Sequence, residues 1–598
     1  MPGIPRLAAL SPRIGRPFQV KRFRESSVCW LNTRWLLSKG VDATEPGTRC
    51  EWERWLLDTF AFGAPRPARD NEPESFYIEG CRTLYADRYG APGGTPGHGG
   101  SGRCGYHGSF NAKGIGPTPL VGRADWYHAH GCMWLEEAMR EAVLAELAAA
   151  EFPWGAVPVV AVIRIHDVLQ RPDGSFEPPR AILVRPNFIR PAHFERSILF
   201  GTSGHEDSDQ YIDAIRTEQA IRTFCMHCRG EHSLGLSTTS IAETFRRIGA
   251  QIGYGWASRL FHGGYFSSNL TMDGELVDFG SFRALPSWRR AFSVRSTAPF
   301  GSELDALKPV VDSLSFYFAK YGDVQNQIDS ASTMREIRDA SHVSFRHSCL
   351  EGLSILGEES RDIQDHAMEI VIRYFHRQQQ TVVNYFNGEQ KRRVSWAYSG
   401  VNERARTEFW DGEAETEFLQ GLAAVCGTSG GGASNNENLL LASKRWLRPR
   451  PLAYRENLQR VIEGAIRNAP EPGMGSAQYW ERLVDTLVSR SRRRWPGLLE
   501  NLVLLAQVSR GGCSALYCVD PRKNEFSVII EAIKCADMLH VFGKRIPFKA
   551  VSNSLLVTSC REGVSTLAIQ LPSWRAGRGV IVNIGAHSCA VPRPDVMY

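Results

Sequence analysis

With 598 residues, 43% hydrophobic and 22% charged, the chain exceeds a single compact core and lacks a disordered composition, so about two to four folded domains are expected. A net charge of +6, from 70 basic and 64 acidic residues, is only a weak argument for nucleic acid when spread over this length, and no such partner is expected. The longest apolar run, around 501–508, falls far short of the ~20 residues that a membrane span needs, so no membrane is expected either.

Residues 1–70 read as an irregular N-terminal extension with one helical patch near 30–37. Its first 24 residues carry six basic and no acidic side chains, a composition shared by transit peptides and Arg-rich bacterial extensions. The 14 cysteines are scattered, which excludes a dense disulfide scaffold and makes a reducing cytoplasm the expected compartment, with a mitochondrial address as the alternative. Glycine concentrates over 90–116. Strong helix formers predict a helix over 134–151, and apolar alternation predicts strands within 157–165 and 181–184. Turn-rich sequence at 202–210 precedes helices over 208–228 and 239–262. Helical spacing dominates 303–420, a Gly/Ser/Asn loop covers 426–436, and further helices reach about 508. The last 90 or so residues hold short β-type runs between turn signals, which predicts a small sheet domain.

Several pieces carry chemistry. Gly100-Ser101-Gly102-Arg103-Cys104-Gly105 is a G-x-G-x-x-G run, and glycines let backbone N–H groups close on phosphate oxygens. Lys113 follows, the one lysine between Lys39 and Lys308 in a chain where only 11 of the 70 basic residues are Lys. A compact ammonium in so Arg-rich a context points to a specific need, with chance as the competing reading. The predicted helix bears Arg140, Glu141 and Glu146, and a carboxylate there can partner a buried lysine. Helical periodicity places Glu146 on the apolar stripe with Leu135, Met139 and Val143, and sets Glu141 nearly opposite. Arg185 and Arg190 end an apolar strand, where two guanidinium groups can converge on phosphates. His262 caps or braces the approach to the next segment. Cys225 and Cys228, near His227 and His232, form a lone Cys-x-x-Cys that reads as structural rather than as a zinc site. No Walker A run, nucleophile elbow or His-Glu-x-x-His pair is present.

The segment Ser268–Phe282, SNLTMDGELVDFGSF, centres on Asp273-Gly274, a favoured two-residue hairpin loop whose central positions both take positive φ. In that register Thr271 faces Leu276, and Asn269 faces Asp278. An amide oxygen and a carboxylate then stand side by side as oxygen ligands for a hard cation.

Taken in order, these pieces follow a protein-kinase-like nucleotide site. In detail they resemble the selenoprotein O (SelO) family of pseudokinases. Lys113-Gly-Ile-Gly-Pro-Thr-Pro119 is similar to that family's KGAGPTP, and Gly100-Ser-Gly-Arg103 to its GDGR, with Ser101 in place of Asp. Arg140-Glu141 with Glu146 matches its RE-x4-E helix. Arg185 and Arg190 resemble its arginine pair, and His262-Gly263, Asn269 and Asp278 resemble its HG…DN…DYG segment. The resemblance spans about residues 95–285.

It implies an α+β, kinase-like two-lobe fold, with an N-lobe over 71–196 and a C-lobe with helical extension over 197–505; the β-rich domain over 506–598 lies outside the resemblance. It further implies transfer of AMP from ATP, with Mg²⁺ or Mn²⁺, to hydroxyl side chains of a protein or peptide. Lys113 and a helix Glu would form the ion pair; the family pattern selects Glu141 where periodicity selects Glu146. Gly100, Gly102, Arg103, Arg185 and Arg190 would hold the nucleotide, and Asn269 and Asp278 the metal. Ser268 replaces the family's Asp, the expected base. That departure supports one alternative, a catalytically impaired nucleotide-binding module; a second alternative keeps the fold but forms acyl-adenylates and acts on peptides.

Overall fold

The computed structural model describes residues 5–65, 74–90, 98–122, 129–166, 178–198, 207–285, 287–293, 297–353, 361–385, 453–470 and 474–492. It also describes scattered single positions between these and, by backbone alone, strands beyond 502. The predicted loop at 426–436 lies outside the described residues, as do glycines 93, 94 and 97.

The chain opens with helix α1 (Leu7–Leu10), strands β1 (Gly15–Phe23) and β2 (Ser26–Leu31), helices α2 (Thr33–Ser38) and α3 (Pro46–Phe60), and a short β3 (Phe62–Gly63). Next come β4 (Tyr77–Asp87), β5 (Cys104–His107), β6 (Phe110–Lys113), helix α4 (Leu135–Glu151), β7 (Ala161–Ile165) and β8 (Ala181–Pro186). All eight strands join one antiparallel sheet in the order β2-β7-β8-β6-β5-β4-β1-β3. The stretch read as an irregular extension therefore builds three strands and two covering helices. Its alternation was hidden because the register shifts between Lys21 and Arg22, so that buried Val20 and Phe23 fall three residues apart. In β2 the consecutive residues Cys29, Trp30 and Leu31 are all buried, serving both faces of the sheet.

One face, carrying Ala112, Ile182 and Val184, packs against Leu36, Leu56 and Phe60 of α2 and α3. The other presents Leu183, with Lys113 and Arg185 in the same alternating set, toward α4. Helix α4 is buried on almost every side, charged residues included: Glu137, Arg140 and Glu141 are buried, as are Leu144 and Leu147.

The second half is mainly helical. Helices α5 (Asp207–Cys228) and α6 (Ile241–Ser258) precede short strands β9 (Leu260–Phe261), β10 (Arg283–Ala284) and β11 (Arg290–Phe292). Then come α7 (Glu303–Tyr321), α8 (Ser330–Gly352), α9 (Arg361–Gln379), β12 (Val382–Asn384), α10 (Arg455–Arg467) and α11 (Met474–Ser491). Helices α6 and α8 approach closely because α6 presents Gly249 and Gly253; a Cβ at these positions would lie 2.5 Å and 2.0 Å from the carbonyl oxygens of Ile337 and Ser341.

The C-terminal β-type runs form small antiparallel units. Strands β13 (Val503–Arg510), β14 (Cys513–Asp520) and β15 (Glu525–Ala532) make one sheet. A second joins β16 (Phe548–Val551), β17 (Ser554–Val557) and β18 (Leu567–Ile569), and β19 (Val580–Ile584) pairs with β20 (His587–Val591). The expectation that helices run to about 508 is corrected at β13, a short apolar run of the kind periodicity alone cannot assign. No helix among the described residues is long and apolar enough to cross a membrane.

Candidate functional site

Lys113 ends β6, paired across the sheet with Cys104 of β5 and Leu183 of β8. Its side chain is 3% exposed, so its ammonium must find acceptors within the protein. It finds two: Nζ lies 2.7 Å from Oε2 of Glu141 and 3.3 Å from Oδ1 of Asp278. The other Glu141 oxygen accepts from Arg185 Nη1 at 3.1 Å. Lysine, helix carboxylate, strand arginine and Asp278 thus form one contiguous set drawn from four parts of the chain.

Glu146, the choice of periodicity, is elsewhere. It accepts from Asn32 Nδ2 at 2.6 Å and faces Arg34 at 3.6 Å. Amphipathic periodicity sorts residues only on a helix with one wet face. Helix α4 has none over most of its length, since the sheet, α10 and α11 all pack against it, so Glu141 is interior too. One turn before it, Glu137 accepts from Arg103 Nη2 at 3.1 Å, which brings the glycine-rich segment onto the same helix.

That segment connects antiparallel strands β4 and β5. Gly100 has φ +148°, and a Cβ there would sit 2.1 Å from the carbonyl of Asp87, so only glycine fits. Gly102 is less constrained, with Val121 at 3.4 Å from the same position. Arg190, four residues beyond β8, lies over Phe188 at 4.4 Å, while Arg185 lies over the same ring at 5.6 Å. The two predicted arginines therefore bracket one aromatic ring. Arg190 Nη1 also donates to the Ser268 carbonyl. The Ser268 hydroxyl donates to Asn269 Oδ1 at 3.4 Å, and Asn269 packs beside Gly264.

The hairpin register differs from expectation. Leu270 bridges Leu276, not Val277, and a five-residue loop lies between them. Thr271 closes the loop: its Oγ1 accepts from Glu275 N–H at 2.9 Å. Gly274 has φ +79°, but Asp273 is not among the positive-φ residues, so the type I′ turn does not form. The Asp273 carboxylate instead accepts from Ser237 N and Oγ, at 2.6 Å and 2.7 Å. Backbone groups that a hairpin would pair within itself go outward: Met272 N–H to Ile189, and Leu276 N–H to Gly155. Asn269 and Asp278 nonetheless leave the bridged pair on its same open end. His262 braces this end, its Nε2 donating to the Val277 carbonyl at 3.0 Å. Asp278 follows with φ +64°, a left-handed conformation that Asp tolerates better than most residues; its side chain is 35% exposed.

Burial would raise the Asp278 carboxyl, but Lys113, Arg103 and Arg185 outweigh it and hold the group well below the carboxylate range. The same balance lowers Glu137, where Arg103, Lys113 and Arg140 oppose burial. Glu146 is raised, because burial there exceeds the help from Arg34 and Asn32. One donor at the centre remains unused: Nε of Arg185 is buried without a hydrogen-bond partner, whereas Nε of Arg190 lies 3.8 Å from Asp87 Oδ2. A buried guanidinium N–H left open beside an ammonium fits an anionic oxygen-rich ligand such as a polyphosphate. A carboxylate and an amide oxygen are donor types suited to Mg²⁺ or Mn²⁺, and Asp278 and Asn269 stand on the same end of the bridged pair. Among the described residues no three His, Cys, Asp or Glu side chains gather as a metal-holding group. Near Cys225 and Cys228, both ring nitrogens of His227 face backbone carbonyls, those of His232 and Thr238.

Sequence reasoning missed Asp87, Glu137, His193 and Glu195, which adjoin the predicted residues. Each is a single charged or polar residue without a motif around it, and only the tertiary contacts give it a place. Comparison of the chain with protein-family models and with curated proteins returns no match.

Proposed function

We propose that the protein binds ATP with a divalent cation and transfers AMP to hydroxyl side chains of a protein or peptide, on a kinase-like two-lobe scaffold similar to the SelO family. The observation that carries this reading is the Lys113 ammonium held between Glu141 and Asp278, at 2.7 Å and 3.3 Å. The motif order from Gly100 to Asp278 supports it, as does the open Nε donor of Arg185.

In this reading Lys113, Arg185 and Arg190 orient the triphosphate and offset the negative charge that grows as the bond to the leaving group breaks. Glu141 keeps Lys113 aimed. Asn269 and Asp278 would hold the cation, which when bound screens the phosphate oxygens. The acceptor hydroxyl oxygen forms a bond to the α-phosphorus, the bond from that phosphorus to the bridging oxygen breaks, pyrophosphate leaves, and the hydroxyl proton is released. A loose transition state places little demand on a base, so Ser268 in the Asp position slows the reaction rather than ending it.

Incubating the full chain with ATP labelled in the adenine or α-phosphate and a protein mixture should yield AMP-labelled protein. Lys113→Ala and Asp278→Ala should each lower labelling at least ~100-fold. Label retained in both variants would overturn the assignment.

Ser268 itself favours a second reading, a nucleotide-binding module without transfer, because its hydroxyl faces Asn269 and not a proton acceptor. Binding of ATP and Mg²⁺ with no covalent label on any acceptor would select it. Pyrophosphate release that depends on an added amino acid or peptide would select acyl-adenylate chemistry instead.

A further inference from the structure

We propose that Asp87 and His193 are positioning residues that hold Arg190 against the Ser268–Asn269 loop and tie that loop to the glycine-rich segment. The inference deepens the nucleotide reading and rests on it only for what the two segments bind.

Four observations carry it. The backbone N–H of Arg190 donates to His193 Nδ1 at 3.0 Å. That bond occupies the Nδ1 lone pair and sets the tautomer, so Nε2 bears the proton and donates to Asp87 Oδ2 at 3.3 Å. The same carboxylate oxygen lies 3.8 Å from Arg190 Nε, so one oxygen attracts both the ring and the guanidinium. From there Arg190 reaches across to donate to the Ser268 carbonyl.

The other end of the device is Asp87 itself. Its carbonyl accepts from Ser101 N–H at 3.0 Å, and Gly100 lies directly on it. The Ser101 hydroxyl sits beside the carboxylate, near enough to lower it though outside hydrogen-bond geometry. All four side chains, Asp87, Ser101, Arg190 and His193, are buried. Burial at this level makes a half-satisfied network unfavourable, so loss of one member should release the others. Asp87 is therefore the point where the phosphate-facing glycines and the metal-facing loop are fixed in one frame. A guanidinium not so anchored would be free to swing from Ser268 toward solvent.

Hydrogen exchange of the full chain, followed by mass spectrometry, tests this in wild type, Asp87→Asn, His193→Ala and His193→Gln, each with and without ATP and Mg²⁺. Without nucleotide, Asp87→Asn and His193→Ala should speed exchange at 266–270 at least tenfold, and Asp87→Asn should also speed it at 99–102. Helix α6 should keep wild-type protection. His193→Gln should behave like wild type, because a Gln amide can accept from the Arg190 N–H and donate to Asp87 as imidazole does. Unchanged exchange at 266–270 in Asp87→Asn and His193→Ala would overturn the proposal, as would a Gln variant as loose as the Ala variant. Should His193→Ala lose protection in α6 as well, it has lost its fold, and the two near-isosteric variants decide. The nucleotide arm is separate: no protection of wild type by ATP and Mg²⁺ would sink the nucleotide reading, while the ligand-free arm still judges the positioning.

Discussion

Two glutamates on one helix, five residues apart in the sequence, have opposite consequences here. Glu141 is shared by Lys113 and Arg185 in the interior, and its removal strands two buried cations. Glu141→Ala should therefore destabilise the protein by about 3–5 kcal/mol, the range for breaking a buried ion pair from one side, and ATP binding should be lost with it. Glu146 shares Asn32 with the helix α2 cap and meets a largely exposed Arg34. A pair of that exposure contributes less than about 1 kcal/mol, so Glu146→Gln should melt near wild type and bind ATP unchanged. Thermal melts of both variants, with and without ATP and Mg²⁺, check the contrast. Equal losses in the two would return the ion pair to the periodicity choice.

At the scale of elements, the close approach of α6 to α8 rests on Gly249 and Gly253. A methyl group at Gly253 would stand 2.0 Å from the Ser341 carbonyl, which belongs to the opposing backbone and cannot swing aside. Gly253→Ala should separate the helices and destabilise by about 1–3 kcal/mol, the usual range for overpacking. Denaturant titration reads this directly, and a midpoint equal to wild type would show that the helices slide apart freely. The long helices, the β8 strand and the C-terminal β-runs were readable from period and composition, because one kind of face repeats along each. The N-terminal strands were not, since a register shift in β1 and double-sided burial in β2 erase the alternation. The Asp273-Gly274 hairpin was misread for a different reason. Its turn chemistry was favourable, but Ser237, Gly155 and Ile189 offered the same polar groups other partners, and local propensity yields to tertiary hydrogen bonding.

Across the whole molecule, burial pushes three carboxyls, Glu195, Glu275 and Glu303, up to about 7. A carboxyl raised on folding from near 4.5 adds stability that is fully present below pH 4.5 and lost as pH rises through about 7. Asp87, lowered to about 2 by His193 and Arg190 against burial, works the other way: its contribution stands above about pH 4 and fades as pH falls toward 2. Buried His193 and His262, both lowered chiefly by burial, lose stability as pH falls below about 6.5 and so oppose the glutamates in that window. The clean measurement is thus a difference between variants. Glu195→Gln and Glu303→Gln should each melt higher than wild type at pH 8, by at most about 3 kcal/mol, and close to it at pH 5. Each Gln keeps an acceptor oxygen for Ser267 or Trp256, which the native carboxylates engage at 2.5 Å and 2.6 Å. A stability gain independent of pH would show that these groups titrate normally.

The sequence by itself determined the residue types of the candidate site and their order, because glycine, lysine, arginine and Asp-Phe-Gly each carry local chemistry readable at any position. It also set where most helices lie, through spacing that a neighbour need not supply. Only the tertiary structure decided that Glu141 and not Glu146 meets Lys113, and that Asp87 and His193 stand behind Arg190. Those outcomes depend on what covers each side of α4 and on which buried groups find partners across 100 or so residues of chain. Distances of that kind are set by packing, and no local pattern encodes them.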